Sequence, residues 1–118
     1  RQMTRQAAER RGRWGETVAA WWLRLHGWRI LAIRVKLRVG EVDLVAKRGG
    51  TVAFIEVKAR RKKEDLDTAI DAWRLRRVAA AANALQPRYA ANGEDIRIDV
   101  MLVAPFARPR HIPNAWHG

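Results

Sequence analysis

Apolar and polar residues follow two periods along the chain, and these periods predict an α/β fold. Residues 4–26 place apolar side chains at helical spacing and are followed by Gly27, a common helix stop. The Ala-rich residues 68–85 predict a second helix that is ended by Pro87. Strands are predicted at residues 28–35, 41–47, 51–59 and 96–104, with a short edge strand near His111 and Ile112. The order α-β-β-β-α-β indicates a mixed sheet flanked by helices.

The length of 118 residues fits one domain over residues 1–118. Within it, residues 1–10 are interpreted as a basic arm and residues 105–118 as a C-terminal tail with three prolines. No apolar stretch is long enough to cross a bilayer and no signal peptide is visible, so we expect no membrane partner. The chain has no cysteine, which excludes disulfides and agrees with the expected cytoplasmic location.

Gly49 and Gly50 separate two predicted strands and are typical of a two-residue hairpin loop. Side chains alternate between the faces of a sheet, so a hairpin closed at these glycines has a defined set of facing pairs. The pairs on one face are Val45 with Phe54, Asp43 with Glu56, and Glu41 with Lys58. Directly opposed side chains have Cβ atoms about 4.5–5.5 Å apart, so the two carboxylates are predicted to repel each other.

Two explanations of the Asp43–Glu56 pair are open. A divalent cation would offset the repulsion, since Mg²⁺ takes oxygen ligands and often only one or two carboxylates. Alternatively, one carboxylate has a raised pKa. Lys58 lies two residues beyond Glu56 and therefore on the same face, where it could orient or deprotonate a water molecule or stabilise negative charge. A simpler interpretation is an exposed amphipathic hairpin, but Val45 and Phe54 indicate that this face is partly covered.

A further carboxylate, Glu16, lies on or beside the packing face of the first helix. It is in register with Gly12, Ala19, Ala20 and Leu23, at offsets of three, four and seven residues. A glutamate in such a place is expected to be paired, linked to a metal or catalytic.

With these residues the sequence resembles the PD-(D/E)XK nuclease superfamily, whose D…E-x-K signature is matched by Asp43, Glu56 and Lys58. More closely, it is similar to the bacterial YraN-like family of predicted nucleases, which are relatives of archaeal Holliday-junction resolvases. The resemblance covers nearly the whole chain. Its motifs are Gly15-Glu16 with Ala19, residues 25–28 (Leu-His-Gly-Trp), 40–45 (Gly-Glu-Val-Asp-Leu-Val), 54–60 (Phe-Ile-Glu-Val-Lys-Ala-Arg), 99–100 (Asp-Val) and 111–116 (His-Ile-Pro-Asn-Ala-Trp).

The resemblance implies a restriction-endonuclease-like fold with a catalytic site for phosphodiester hydrolysis. Asp43 and Glu56 would be ligands of Mg²⁺ or Mn²⁺, with the Val57 carbonyl as a third ligand. Lys58 would be the catalytic lysine, and Glu16 a further carboxylate in or next to the metal shell.

The sequence departs from the family at two positions. The family often has Asn where Arg34 aligns, so any polar contact made by that Asn is in question. It often has Lys in the second helix where Arg74 aligns. Arg keeps the positive charge, so a phosphate contact is retained, but proton transfer from this position is not expected.

The charge of the chain favours a polyanionic partner. The net charge is +12, and 19 of the 24 basic residues are Arg, which forms bidentate contacts to phosphate. Nucleic acid, and DNA in particular, is the expected partner, although an Arg-rich genome could produce the same bias. The candidate nucleic-acid-binding residues follow the third strand and lie on the second helix: Arg60, Arg61, Lys62, Lys63, Arg74 and Arg77.

The leading hypothesis is a Mg²⁺- or Mn²⁺-dependent endonuclease that acts on structured or branched DNA. The first alternative is a nucleic-acid-binding protein that keeps the fold without hydrolytic activity. The second is a small basic assembly protein whose carboxylates only form salt bridges. Trp21 and Trp22 are adjacent and cannot share one face of a helix, so an exposed tryptophan is expected, which would fit a homodimer contact.

Overall fold

The structure is a computed structural model that describes residues 2–62 and 71–116, with side chains described from residue 5 onward. Its elements are α1 (Gln2–Leu25), β1 (Arg29–Lys36), β2 (Glu41–Arg48), β3 (Thr51–Ala59), α2 (Ala72–Tyr89), β4 (Asp95–Val103) and β5 (Arg110–Ile112). The predicted α-β-β-β-α-β order is confirmed, and the short edge strand is β5. Residues 2–10, the predicted basic arm, form the first turns of α1.

The five strands form one mixed sheet in the order β1-β2-β3-β4-β5. Strands β3 and β4 run parallel, and the other neighbouring pairs are antiparallel. A parallel pair needs a long crossover, and α2 lies in the connection between β3 and β4. Because it is the third of five strands in this order, β3, which carries Glu56 and Lys58, is the central strand of the sheet.

The two helices cover opposite faces of this sheet. The buried cluster under α1 includes Ala19, Ala20, Leu23, Leu44 and Ile55. The buried cluster under α2 includes Val78, Ala81, Ala82, Val45 and Phe54. Neighbouring strand residues point to opposite faces, so β2 and β3 contribute to both clusters. Any charged side chain on the inner part of β3 is consequently removed from water.

The end of α1 agrees with the prediction of a stop at Gly27. Gly27 has a φ of +88°, a left-handed conformation that glycine adopts without steric cost. The Trp28 N–H donates to the Leu23 carbonyl at 2.9 Å, and the Gly27 N–H donates to the Arg24 carbonyl at 3.2 Å. This is the Schellman arrangement of a helix C-terminus.

Helix α2 begins after Asp71, whose carboxylate accepts a hydrogen bond from the Trp73 N–H at 2.9 Å. The predicted start of this helix, at residues 68–70, lies outside the described residues. The prediction that Pro87 ends the helix is wrong, because α2 continues to Tyr89. In the last turn a proline removes only one hydrogen bond, and the Ala90 N–H still donates to the Gln86 carbonyl at 2.8 Å. Within the described residues, no helix has the length and apolarity needed to cross a membrane.

Two glycines allow the helices to approach the sheet closely. A Cβ on Gly15 would lie 2.7 Å from the Cβ of Ala59 on β3. A Cβ on Gly40 would lie 1.9 Å from the Arg77 carbonyl oxygen of α2. Neither distance is tolerated by a real side chain, so these positions require glycine for space. Each of them precedes a carboxylate, Glu16 or Glu41, that lines the cleft described below.

We expect Gly15→Ala to lower the free energy of unfolding by about 1–3 kcal/mol, because the added methyl group overpacks the contact with Ala59. Gly12→Ala in the same helix is the matched control, since nothing lies within 4 Å of its Cβ position. That substitution should raise stability by about 0.5–1 kcal/mol through helix propensity. Urea unfolding of both variants measures the difference. Equal stabilities would contradict the close packing of α1 on β3.

Asp99 on β4 fastens the C-terminal segment to the sheet. Its buried carboxylate accepts hydrogen bonds from Arg97 Nη2, His111 Nε2 and the Asn114 N–H, each at 2.8 Å. Burial by itself would raise the pKa of Asp99, but the bonds from His111, Arg97 and Asn114 together lower it below the ordinary value. The Asp99-Val100 and 111–116 motifs of the sequence are therefore two halves of one structural contact.

Because its pKa is lowered in the folded state, Asp99 stabilises the protein fully above the ordinary carboxyl pKa of about 4, and this contribution is lost as the pH falls through the lower folded value. We expect Asp99→Asn to cost about 2–4 kcal/mol at pH 7, and the difference from wild type to shrink below about pH 4. Urea unfolding across this pH range measures it. Asp95→Asn, at an exposed position of the same strand, is the control. A difference that is constant with pH would contradict the assignment.

Candidate active site

A cleft of about 390 Å³ opens between the first half of α1, the hairpin of β1 and β2, and the start of α2. Its lining is made almost entirely of charged side chains. The residues are Glu9, Gly12, Arg13, Glu16, Arg34, Lys36, Glu41, Asp43 and Arg74. The candidate residues Glu16, Asp43 and Arg74 are thus brought to one place by three different elements.

Asp43 lies where β2 and β3 separate. The predicted hairpin register is confirmed from Arg48 opposite Thr51 up to Leu44 opposite Ile55, where strand pairing ends. One residue further on, Asp43 Oδ2 accepts a hydrogen bond from the Val57 N–H at 2.7 Å. The Asp43 side chain therefore takes the place of the backbone partner that Val57 would have had on β2. A strand residue directs its N–H and its C=O to the same side, so the Val57 carbonyl also points into this gap.

Glu56 and Lys58 lie on the same face of β3, as predicted from their spacing. Lys58 Nζ is 2.9 Å from Glu56 Oε2, and both residues are buried. Arg74 of α2 reaches the same carboxylate, with Nε 3.3 Å from Glu56 Oε2. The carboxylate is therefore held between a lysine from its own strand and an arginine from the covering helix.

Glu41 does not pair with Lys58 as the hairpin register suggested. Instead, Glu41 Oε1 lies 3.5 Å from Arg74 Nη1. The physical reason is the separation of β2 and β3 beyond Leu44, which takes Glu41 away from the lysine. Arg74 consequently joins the two strands by contacting Glu41 on one and Glu56 on the other.

Glu16 enters the cleft from α1 because Gly15 allows the helix to lie against β3. Its Oε1 is 2.7 Å from Nε of Arg34 on β1, and its side chain is only 12% exposed. The pKa of Glu16 is raised mainly by burial, and Arg34 opposes that effect. Arg34 has a φ of +53°, in the left-handed region. The family that the sequence resembles often has Asn here, and Asn adopts this conformation more readily than Arg. The polar contact of Arg34 is the one to Glu16.

The three carboxylates of Glu16, Asp43 and Glu56 influence one another electrostatically. The pKa of Asp43 is raised to about 8, first because burial removes water from the carboxylate and second because of the charge of Glu56. The hydrogen bond from Val57 opposes this shift, and the charge of Glu16 adds to it. The crowding predicted for Asp43 and Glu56 is thus present, although the two residues are not paired in the strand ladder.

Two carboxylate oxygens of this cluster are buried without hydrogen bonds. They are Glu16 Oε1 and Glu56 Oε2. Each lies within ion-pair distance of a cation, but among residues 2–62 and 71–116 no donor has hydrogen-bond geometry with either oxygen. In the same part of the chain, no three His, Asp or Glu side chains are arranged as a complete ion-binding group. Any ion here would need oxygen ligands besides carboxylates.

The other basic candidates lie at different distances from this cluster. Arg60 continues β3, where its N–H donates to the Val103 carbonyl at 2.9 Å, and Arg61 and Lys62 are exposed. Lys63 lies outside the described residues. The Arg77 guanidinium lies over the ring of the exposed Trp73, 5.5 Å from its centroid.

Three basic residues that line the cleft were not among the binding residues predicted from the sequence: Arg13, Arg34 and Lys36. Arg13 precedes Glu16 by three residues and so lies on the same side of α1. Arg34 and Lys36 are two positions apart on β1 and share one face of the strand. These spacings are visible in the sequence, but they do not show that β1 borders the same cleft as Asp43.

A raised carboxyl pKa means that the folded state holds its proton more tightly than the unfolded state. The metal-free protein should therefore lose stability between about pH 4 and about pH 8, because Asp43 must ionise in a buried place beside the charge of Glu56.

In Asp43→Asn this loss is absent because the side chain cannot ionise, and the Asn oxygen can still accept the hydrogen bond from the Val57 N–H. We expect the variant to be about as stable as wild type below about pH 4 and more stable by at least about 2 kcal/mol at pH 8.5. Urea unfolding in a chelator measures this, with Asp95→Asn as control. A variant less stable than wild type at pH 8.5 would disprove the charge crowding.

Residues 15–103 match the model of a protein family described as "Uncharacterised protein family UPF0102". A protein of Rhizorhabdus wittichii is 66% identical over 114 residues, which cover 97% of each chain. A protein of Sphingopyxis alaskensis is also 66% identical over 114 residues, covering 97% of this chain and 98% of the relative. A protein of Caulobacter vibrioides is 40% identical over 119 residues, covering 100% of this chain and 95% of the relative. All three carry the name UPF0102 protein. The chain belongs to this family, UPF0102.

Proposed function

We propose that this protein is a Mg²⁺- or Mn²⁺-dependent phosphodiesterase of the PD-(D/E)XK type, an endonuclease that acts on structured or branched DNA. The observation that carries the proposal is the meeting of Asp43, Glu56 and Lys58 at the point where β2 and β3 separate. Their order along the chain is that of the D…E-x-K signature. Glu16 adds a third carboxylate from the helix on the opposite wall of the cleft.

The residues at this point fit a hard divalent cation. Asp43 and Glu56 would hold it together with the Val57 carbonyl, and water would complete the shell, as is usual for Mg²⁺. Burial and the charge of Glu56 raise the pKa of Asp43, so a cation beside this carboxylate would relieve an electrostatic cost. The Glu56 oxygen is paired with Lys58 and Arg74 but makes no hydrogen bond within the described residues. When bound, such an ion polarises a phosphate ester and makes water a better nucleophile.

Lys58 and Glu16 have distinct roles in this proposal. The Lys58 ammonium is buried beside Glu56, where it would stabilise negative charge that develops on the phosphate during hydrolysis. It would also orient the attacking water molecule. Glu16 takes part in the cluster through its charge and is held by Arg34 on β1.

The walls of the cleft supply the binding surface for the substrate. Arg13, Arg34, Lys36 and Arg74 line it, and the chain has a net charge of +12. Arginine and lysine bind the phosphate backbone of nucleic acid without regard to sequence. We include Arg60, Arg61, Lys62, Lys63 and Arg77 in this surface, since the first four extend directly from the catalytic strand and Arg77 is on α2.

The test is cleavage of supercoiled plasmid and of branched DNA by the full chain in Mg²⁺ or Mn²⁺. We expect Asp43→Asn and Lys58→Ala each to lower the cleavage rate by at least about 100-fold, because they remove a ligand and the charged catalytic group. Asp95→Asn, on an exposed part of β4, should cleave like wild type. Absence of metal-dependent cleavage of any DNA or RNA would exclude the enzyme, and cleavage that survives Asp43→Asn would indicate a contaminating nuclease.

A second candidate is a nucleic-acid-binding protein without hydrolytic activity. One observation favours it: the carboxylates of Glu16 and Glu56 already have cationic partners in Arg34, Lys58 and Arg74. A cluster neutralised in this way does not require a metal ion. Binding of DNA that weakens steeply with added salt, without cleavage in either metal, would favour this function.

A further inference from the structure

We propose that Arg34 is a positioning residue that sets the affinity of the cleft for its divalent cation, by neutralising Glu16 and competing with the ion for that carboxylate. The inference rests on the proposed metal site. It concerns a residue that is neither a proposed ligand nor part of the D…E-x-K signature.

The backbone of Arg34 is held in an uncommon conformation. Its φ of +53° lies within strand β1, where residues normally have negative φ. For a residue with a Cβ, the left-handed region costs about 1–2 kcal/mol. Ile33 pairs with Leu44 and Val35 pairs with Val42, so Arg34 lies across from Asp43. The strained residue is therefore beside the carboxylate cluster.

The contact that accompanies this conformation is the ion pair with Glu16. Arg34 Nε lies 2.7 Å from Glu16 Oε1, although the side chain of Arg34 is 48% exposed and that of Glu16 only 12%. The guanidinium thus covers the glutamate from the solvent side of the cleft. Such an arrangement places a positive charge on a carboxylate that a cation bound in the cleft would otherwise contact.

Two carboxylates of the cluster, those of Glu16 and Glu56, have cationic partners before any metal enters. Lys58 and Arg74 face Glu56, while Arg34 faces Glu16, with Arg13 contributing to its field. A divalent cation therefore enters against cations that are already present, and its affinity depends on how easily one of them moves aside. Arg34 is the one best able to do so. Its side chain is 48% exposed and pairs with Glu16, whereas that of Lys58 is 10% exposed. The Arg74 side chain is 43% exposed but contacts two carboxylates, those of Glu41 and Glu56.

Substitution of Arg34 should accordingly strengthen metal binding. Arg34→Asn is the informative variant, because Asn accepts the left-handed conformation and carries no charge. We expect it to bind Mn²⁺ and Mg²⁺ about 5- to 20-fold more tightly than wild type, since one repulsive charge is gone and Glu16 is free. Arg34→Lys, which keeps the charge, should bind like wild type.

The measurement is isothermal titration calorimetry of the full chain with Mn²⁺ and with Mg²⁺, supported by the shift of the melting temperature at saturating metal. Arg38→Asn is the matched control, because it removes the same charge from the same hairpin at an exposed position. It should change the affinity by less than about 2-fold. A similar gain in Arg38→Asn would mean that only the net charge matters, and would overturn the inference.

Two further outcomes separate this inference from the proposed function. If wild type and Arg34→Asn bind the ion equally, or the variant binds more weakly, and binding is lost in Asp43→Asn, the metal site stands and the role of Arg34 is wrong. If neither protein binds a divalent ion, or binding is unchanged in Asp43→Asn, the proposed metal site fails and the inference fails with it.

Discussion

The burial of carboxylates at the point where two strands separate is the constraint on which the rest of this structure depends. Beyond Leu44 and Ile55 the hairpin ladder ends, and the Asp43 carboxylate accepts the Val57 N–H in place of a strand partner. This contact leaves an opening between two neighbouring strands of the sheet, β2 and β3. It also fixes Asp43 beside Glu56, where burial and like charge raise the Asp43 pKa to about 8. The cleft, its charges and its proposed chemistry all follow from that opening.

The surrounding elements are shaped to reach this opening. Gly15 lets α1 lie against Ala59, which brings Glu16 to the cleft, and Gly40 lets the hairpin touch the backbone of α2. Helix α2 then supplies Arg74, and β1 supplies Arg34. The cluster therefore combines carboxylates from α1, β2 and β3 with their cationic partners from β1, β3 and α2. Because Glu16, Glu41 and Glu56 each pair with an arginine from another element, the electrostatics of the site and the packing of the fold support each other.

Much of this arrangement could be predicted from the sequence. Period-2 alternation together with Gly49 and Gly50 was enough to predict the register from Arg48 to Leu44, because a two-residue loop leaves no freedom in the pairing. The spacing of Glu56 and Lys58 likewise predicted one shared face. The predicted pairing of Glu41 with Lys58 was wrong. It assumed a continuous ladder, and no local pattern shows where two strands separate. The prediction that α2 ends at Pro87 was wrong because a proline near a helix terminus costs little stability.

The sequence by itself determined the element order, the helix stop at Gly27 and the D…E-x-K residues on neighbouring strands, since these depend on local periodicity and spacing. Only the tertiary structure decided which cation neutralises which carboxylate. The partner of Glu16 is Arg34 on β1, and that of Glu41 is Arg74 on α2. Such pairs depend on distances between elements, which are set by glycine contacts and by the separation of β2 from β3. The opposed carboxylates were a property of the sequence, and their neutralisation was a property of the fold.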